Sequence, residues 1–199
     1  TYRRPAKLMA CLESLAAQTY PDVEVESVED MRGEFAIGIW NRHARAVTDG
    51  AFVYICDDVE LDPDCLEVAA SALLSRWPDT DGVVCFRQRN IHQAKAAMGM
   101  IGARFLDRFR DRTPFCPDYS RFHFDSELGL VARRLGRFRY ERAATLVHHH
   151  PQHTSTPEDD AHRRVRESSA VARDNRVWRE RRARGWLWGM DSNRLEVAA

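Results

Sequence analysis

Apolar residues recur along this chain with two periods, and the switch between them marks out the elements. Residues 51–56 (AFVYIC) form an unbroken β-forming run behind the Asp49-Gly50 turn, which predicts a strand buried on both faces. Leu61-Asp62-Pro63 follows; Asp62 as N-cap and Pro63 at the first helical position predict a helix to Arg76. Upstream, Pro5 opens a helix whose positions Leu8, Cys11, Leu12 and Leu15 keep helical spacing through Ala17. Val23, Val25 and Val28 alternate and predict a strand, and residues 34–47 place Phe35, Ile39 and Ala46 on one helical side. Asp81-Gly82 precedes another apolar run at 83–86. This αβαβαβ order predicts an α/β fold with a mostly parallel sheet and helices on both faces.

The pattern loosens from Arg87, where Gly99 and Gly102 predict a backbone turning closely around something. Residues 105–109 read as helical and 113–119 as an aromatic loop. Asp125 is placed as the N-cap of a helix carrying Leu128, Val131, Ala132 and Leu135 and stopped by Gly136. Residues 138–140 and 144–147 read as short strands, the second running into His148-His149-His150. Strand alternation puts His148 and His150 on one face and His149 on the other. Residues 156–160 cap a long arginine-rich helix reaching Arg184, whose few apolar positions predict a surface helix. The run Trp186-Leu187-Trp188 then docks the tail or makes an oligomer contact.

Composition narrows the classes. The 199 residues carry 30 basic and 30 acidic side chains, so net charge offers no argument for a nucleic-acid or membrane partner. Five cysteines without CxxC spacing read as reduced thiols, predicting a cytoplasmic protein. No apolar run reaches the length of a membrane span. One domain over residues 1–151, with a helical extension at 152–199 packed on it, is expected.

Candidate chemistry gathers at strand ends. Asp57 and Asp58 follow the 51–56 run, where an open α/β sheet places its ligand crevice. Two adjacent aspartates are commonly a solvated turn; they are also two hard oxygens suited to Mg²⁺ or Mn²⁺ bridging a diphosphate. Glu29-Asp30 repeats the arrangement and could accept hydrogen bonds from a base or ribose. Arg45 is either a phosphate contact or a solvated helix arginine. His148 and His150 are either a polar strand end or nitrogen ligands beside the acidic pair.

Four stretches, TYRRP with CLESLAAQTYPD, Glu29-Asp30, CDDVELDPDCLE, and DSELG followed by HHHP, occur in an order and spacing that resembles the GT-A (Rossmann-like) glycosyltransferases, within them the inverting family two. The likeness covers most of residues 1–151 and implies a metal-dependent transfer from a nucleotide-diphospho-sugar, with a UDP-sugar favoured, to an acceptor hydroxyl of a saccharide or a modified nucleic acid. It implies nucleotide contacts at Thr1, Tyr2, Arg4, Glu29 and Asp30, and Mn²⁺ or Mg²⁺ bridging the donor diphosphate at Asp58, with Asp57 beside it and His148 and His150 completing the shell. It implies Asp125 as general base with Glu127 as its acidic neighbour. Cys56 stands where many members carry the first aspartate of the metal motif, and Phe124 replaces the acid that often precedes the base. The family's first strand would precede Thr1, so the resemblance implies a chain truncated ahead of it. Two other readings remain: a sugar-phosphate nucleotidyltransferase, and a non-catalytic nucleic-acid-binding module using the arginine-rich helix.

Overall fold

The computed structural model describes residues 4–30, 35–89, 95–151, 154–165 and 168–190. Its elements are α1 (Pro5–Ala16), α2 (Phe35–Ala44), β1 (Ala51–Tyr54), β2 (Val59–Leu61), α3 (Cys65–Arg76), β3 (Val83–Gln88), β4 (Gly99–Gly102), α4 (Ala103–Leu106), α5 (Phe124–Arg134), β5 (Phe138–His148), α6 (Asp160–Val165) and α7 (Ser168–Ala183). Helices and strands mix as an α/β fold. Among the described residues no helix is long and apolar enough to cross a membrane.

The five strands form one sheet in the order β1-β4-β3-β5-β2. Among the described residues only β3 and β5 pair in parallel; the other three pairings are antiparallel. The expected mostly parallel sheet is therefore corrected to a mixed one. The reason lies in β2 and β4, two short strands that the apolar pattern did not reveal and that both enter antiparallel. In β4 the glycines make the approach that their spacing suggested, but to the chain's own backbone. A Cβ on Gly99 would stand 2.4 Å from the Val84 carbonyl oxygen, and one on Gly102 1.8 Å from that of Thr80. Residues 23–28, expected as a strand, belong to no ladder, and Val25 is exposed; alternation makes a strand only where a neighbouring strand can pair with it.

Helices cover both faces of the sheet. Val83 and Cys85 of β3 point to a core shared with α2, α4 and α5, around Trp40, Tyr54, Phe105, Phe115 and Leu128. Val84 and Phe86 point to the other core, where α1 and α3 bring Cys11, Leu66 and Leu73 against Met100 and Leu146. Each such fully buried side chain contributes about 1.5–3 kcal/mol. β1 is buried on one face only: Phe52 and Tyr54 enter the first core, while Ala51 and Val53 are half-buried against the second. Helix α3 starts later than expected, at Cys65, because the Asp62 carboxylate is taken by Thr145 and Arg89 instead of capping.

One strand, β5, replaces the two short ones expected, with a bulge between them. Phe86 pairs with Glu141 but the next residue, Arg87, pairs with Thr145. Residues 142–144 stand outside the ladder, and the strand changes faces there. Phe138 and Tyr140 pack on the first core, whereas Ala144 and Leu146 lie in the second.

Candidate functional site

The turn between β1 and β2 holds Asp57 and Asp58, and the pairing of β2 with β5 brings histidines to it. Val59 faces His148 in that ladder, and the His149 N–H donates to the Asp58 carbonyl at 2.8 Å. Alternation does the rest. His148 and His150 lie together with ring centroids 5.4 Å apart, while His149 turns away to Glu60 at 2.7 Å.

Two further segments close on this pair. Arg4, just ahead of α1, spreads its guanidinium over three carboxylates: Nη1 lies 2.9 Å from Asp57 Oδ1 and 3.2 Å from Asp58 Oδ2, and Nη2 3.0 Å from Asp159 Oδ1. Lys7 Nζ reaches Asp159 Oδ2 at 2.6 Å. Asp159 also accepts the backbone N–H of His162 at 3.0 Å, capping α6. That cap turns His162 inward, 3 % exposed, with Nε2 3.3 Å from Asp58 Oδ2 and its ring 4.9 Å from that of His150.

The electrostatics keep the acids charged. Burial opposes ionisation of Asp58, but His148, His162 and Arg4 outweigh it and hold its carboxyl well below the usual range. Asp159 is lowered likewise, burial being outweighed by Lys7 and Arg4. Cys56 responds in the opposite direction: burial, then the charges of Asp58 and Asp57, push its thiol far up, so it adds no thiolate here.

Among the described residues, no hydrogen-bond donor of good geometry reaches the buried Asp57 Oδ2 and Asp58 Oδ1. Asp58 Oδ1 does have a neighbour, His148 Nε2 at 3.3 Å. On the other side of that ring, His148 Nδ1 lies 3.0 Å from the Gln88 side-chain oxygen. The ring thus bridges Gln88 and Asp58, lowering Asp58 where Nε2 carries a proton and offering a nitrogen lone pair where it does not. Carboxylate oxygen and imidazole nitrogen are kinds of donor that Mn²⁺ or Mg²⁺ takes. Among the described residues no group of three or more His, Cys, Asp or Glu side chains is arranged to hold an ion by itself, so such a cation would need water or phosphate oxygens as well.

Asp125 lies elsewhere along the chain, and its charge is felt at Tyr54, the last residue of β1. Asp125 is the second residue of α5, and the capping position expected for it belongs to His123, whose φ is +68°. Its carboxylate instead accepts the Ser126 N–H at 2.7 Å. Aromatic packing joins this helix start to β1: Phe124 contacts Trp40 at 5.6 Å, and Trp40 contacts Tyr54 at 5.5 Å. Burial chiefly, then Cys85 and the charge of Asp125, push the Tyr54 hydroxyl well up.

The other expected site residues make different contacts or lie at the surface. Glu127 is 1 % exposed and its oxygens accept from Tyr119 Oη (2.6 Å), Arg181 Nη2 (2.9 Å) and the Trp188 N–H (2.5 Å). It is thus a buried anchor for the C-terminal segment, with no oxygen turned to solvent. Asp30 accepts the Phe35 N–H at 3.2 Å at the start of α2, and Glu29 and Arg45 are exposed. Thr1 and Tyr2 lie outside the described residues.

Sequence reasoning missed Lys7, Asp159 and His162. The one available signal was the Asp-x-x-His spacing of 159 and 162 at a helix start, which reads there as ordinary capping. Comparison of the chain with protein-family models, with curated proteins and with solved structures finds no match.

Proposed function

We propose that this chain is a metal-dependent inverting glycosyltransferase of the GT-A kind, moving a sugar from a nucleotide-diphospho-sugar to an acceptor hydroxyl. The observation that carries the reading is the meeting of buried Asp58 Oδ1 with His148 Nε2 at 3.3 Å, beside Asp57, in the turn after β1. Asp58 and His148 would hold Mn²⁺ or Mg²⁺, with Asp57, His150 and His162 beside them. A divalent ion bound there would stabilise negative charge on the departing diphosphate. Arg4, which neutralises the carboxylates in the free chain, turns its guanidinium to phosphate oxygens when the donor arrives.

At the sugar, the bond from the anomeric carbon to the diphosphate oxygen breaks as the acceptor oxygen attacks from the opposite side. The acceptor's proton passes to the Asp125 carboxylate. Asp125 stands in the first turn of α5, half-buried, so a hydroxyl can reach it. The test is a titration of UDP with Mn²⁺ by calorimetry, alongside turnover of a panel of UDP-sugars. Asp125→Asn is expected to lower turnover by about 10³-fold, within the usual contribution of a general base, while UDP and Mn²⁺ still bind. Asp58→Asn is expected to lose the binding itself. Full turnover in Asp125→Asn removes that residue from the chemistry, and an absence of metal-dependent UDP binding in the wild type removes the proposal.

A further inference from the structure

Helix α7 grips the chain on both sides of Asp125. On the upstream side, Asp174 is 0 % exposed, and its carboxylate accepts the consecutive backbone N–H groups of Ser120 (3.0 Å), Arg121 (2.7 Å) and Phe122 (2.9 Å). A run of amides wrapped around one anion is a nest, and here the anion is a side chain of the protein itself. Arg173 Nη1 adds a bond to Ser120 Oγ at 2.6 Å. Trp178, one turn further along α7, lies flat against His123, with ring centroids 5.3 Å apart and planes 2° from parallel. Asn175 Oδ1 meets His123 Nε2 at 2.7 Å. His123 is the residue with φ +68°, a left-handed conformation that a non-glycine residue keeps only when its surroundings impose it.

On the downstream side the same segment takes hold two residues after Asp125. Arg181 and the Trp188 N–H fill the Glu127 carboxylate. Asp125 thus sits between two anchor points supplied by residues 173–188. The deepest anchors, Asp174 and Arg181, are polar and buried, with Val177, Trp178 and Trp188 packed on the core beside them.

We infer that residues 173–188 are a clamp for the catalytic base, with Asp174 the positioning residue that fixes the backbone of 120–123 and so aims Asp125 at the attacking hydroxyl; this rests on the glycosyltransfer reading above. A base misplaced by about 1 Å costs about 10²-fold in rate. A helix that only covered the core would affect stability and leave the chemical step alone.

The experiment uses the full chain carrying Asp174→Asn or Trp178→Ala. Amide hydrogen exchange is followed at residues 120–123, UDP and Mn²⁺ binding by calorimetry, and kcat and KM for a UDP-hexose panel with water as acceptor. Asp174→Asn is expected to speed exchange at 120–122 and lower kcat by about 10²-fold, with KM for the donor and UDP affinity held within about threefold. Trp178 is half-buried, so Trp178→Ala carries the test if Asp174→Asn does not fold, with the same signature in smaller amplitude. Faster exchange with unchanged kcat overturns the clamp, as does exchange unchanged in both variants. A wild type that binds no UDP with Mn²⁺ and turns over no UDP-hexose overturns the glycosyltransfer reading and with it the role given to Asp174. The binding arm separates that result from failure of the clamp alone.

Discussion

Glu127→Gln is the most searching test of how the C-terminal segment is held. The substitution keeps the shape and removes one charge from a carboxylate that is 1 % exposed and faces donors on both oxygens. Arg181 Nη2 and the Trp188 N–H point at Oε1, while the Tyr119 hydroxyl and Arg181 Nε point at Oε2. Whichever way the new amide is turned, its NH₂ therefore meets a donor. Breaking a buried ion pair from one side costs about 3–5 kcal/mol. Arg181 keeps a bond to Asp118 Oδ2 at 3.1 Å, which favours the lower end, about 3 kcal/mol. Unfolding of a domain of this size moves about 2–4 °C per kcal/mol, so the melting temperature is expected to fall by about 6–12 °C. Thermal and urea unfolding followed by circular dichroism would show it, the urea midpoint falling with its slope unchanged. Combining Glu127→Gln with Arg181→Met should recover part of the loss, since both charges then leave the interior together. A Glu127→Gln chain melting within about 2 °C of wild type, or a strictly additive double variant, would refute the view that this carboxylate anchors α7.

Three other outcomes can be measured. Asp81, buried and held by Arg108 Nε at 2.7 Å and Arg137 Nε at 3.1 Å, has its carboxyl lowered, the Arg108 hydrogen bonds outweighing burial. Its folded pKa is depressed, so its contribution is present above the unfolded value of about 3.9 and is lost as pH falls through the folded one. The urea midpoint should drop more steeply from about pH 5 to about pH 3 in wild type than in Asp81→Asn, and equal slopes would exclude the pair as a source of acid sensitivity. Gly102→Ala puts a Cβ 1.8 Å from the Thr80 carbonyl oxygen and is expected to cost about 3 kcal/mol or more in the urea midpoint; a wild-type midpoint would mean β4 packs otherwise. Arg4→Gln removes a positive charge from the carboxylates proposed to receive Mn²⁺. With unit charges about 4 Å apart repelling by roughly 1–4 kcal/mol, Mn²⁺ without nucleotide should bind at least about fivefold tighter by calorimetry, and weaker binding would show that Arg4 organises the site instead of competing for it.

Much of the framework could be read along the chain, and the misreadings share a cause. α1, α3 and β1 announce themselves through proline, period and turn residues, all local. β4 does not, because its glycines answer to Val84 and Thr80, backbone neighbours that only the folded sheet supplies. α7 was read as a surface helix because its inward residues, Asp174 and Arg181, are polar; buried charge pairs invert the pattern that amphipathicity relies on. In the candidate site, the sharing of one face by His148 and His150 followed from alternation alone. His162, 104 positions from its partner Asp58, had no such local signal.

The bulge in β5 makes the length of residues 142–144 a matter of odd and even. Three looped-out residues turn the strand over, and that inversion delivers His148 to the face where Asp58 waits. Removing or adding one residue there would swing every later side chain of the strand to the reverse side, parting both histidines from the acids while leaving each of those residues in the gene. A change of two would restore the orientation. Substitutions at the exposed Arg142 and Ala143 should accordingly be tolerated far better than single-residue insertions or deletions there.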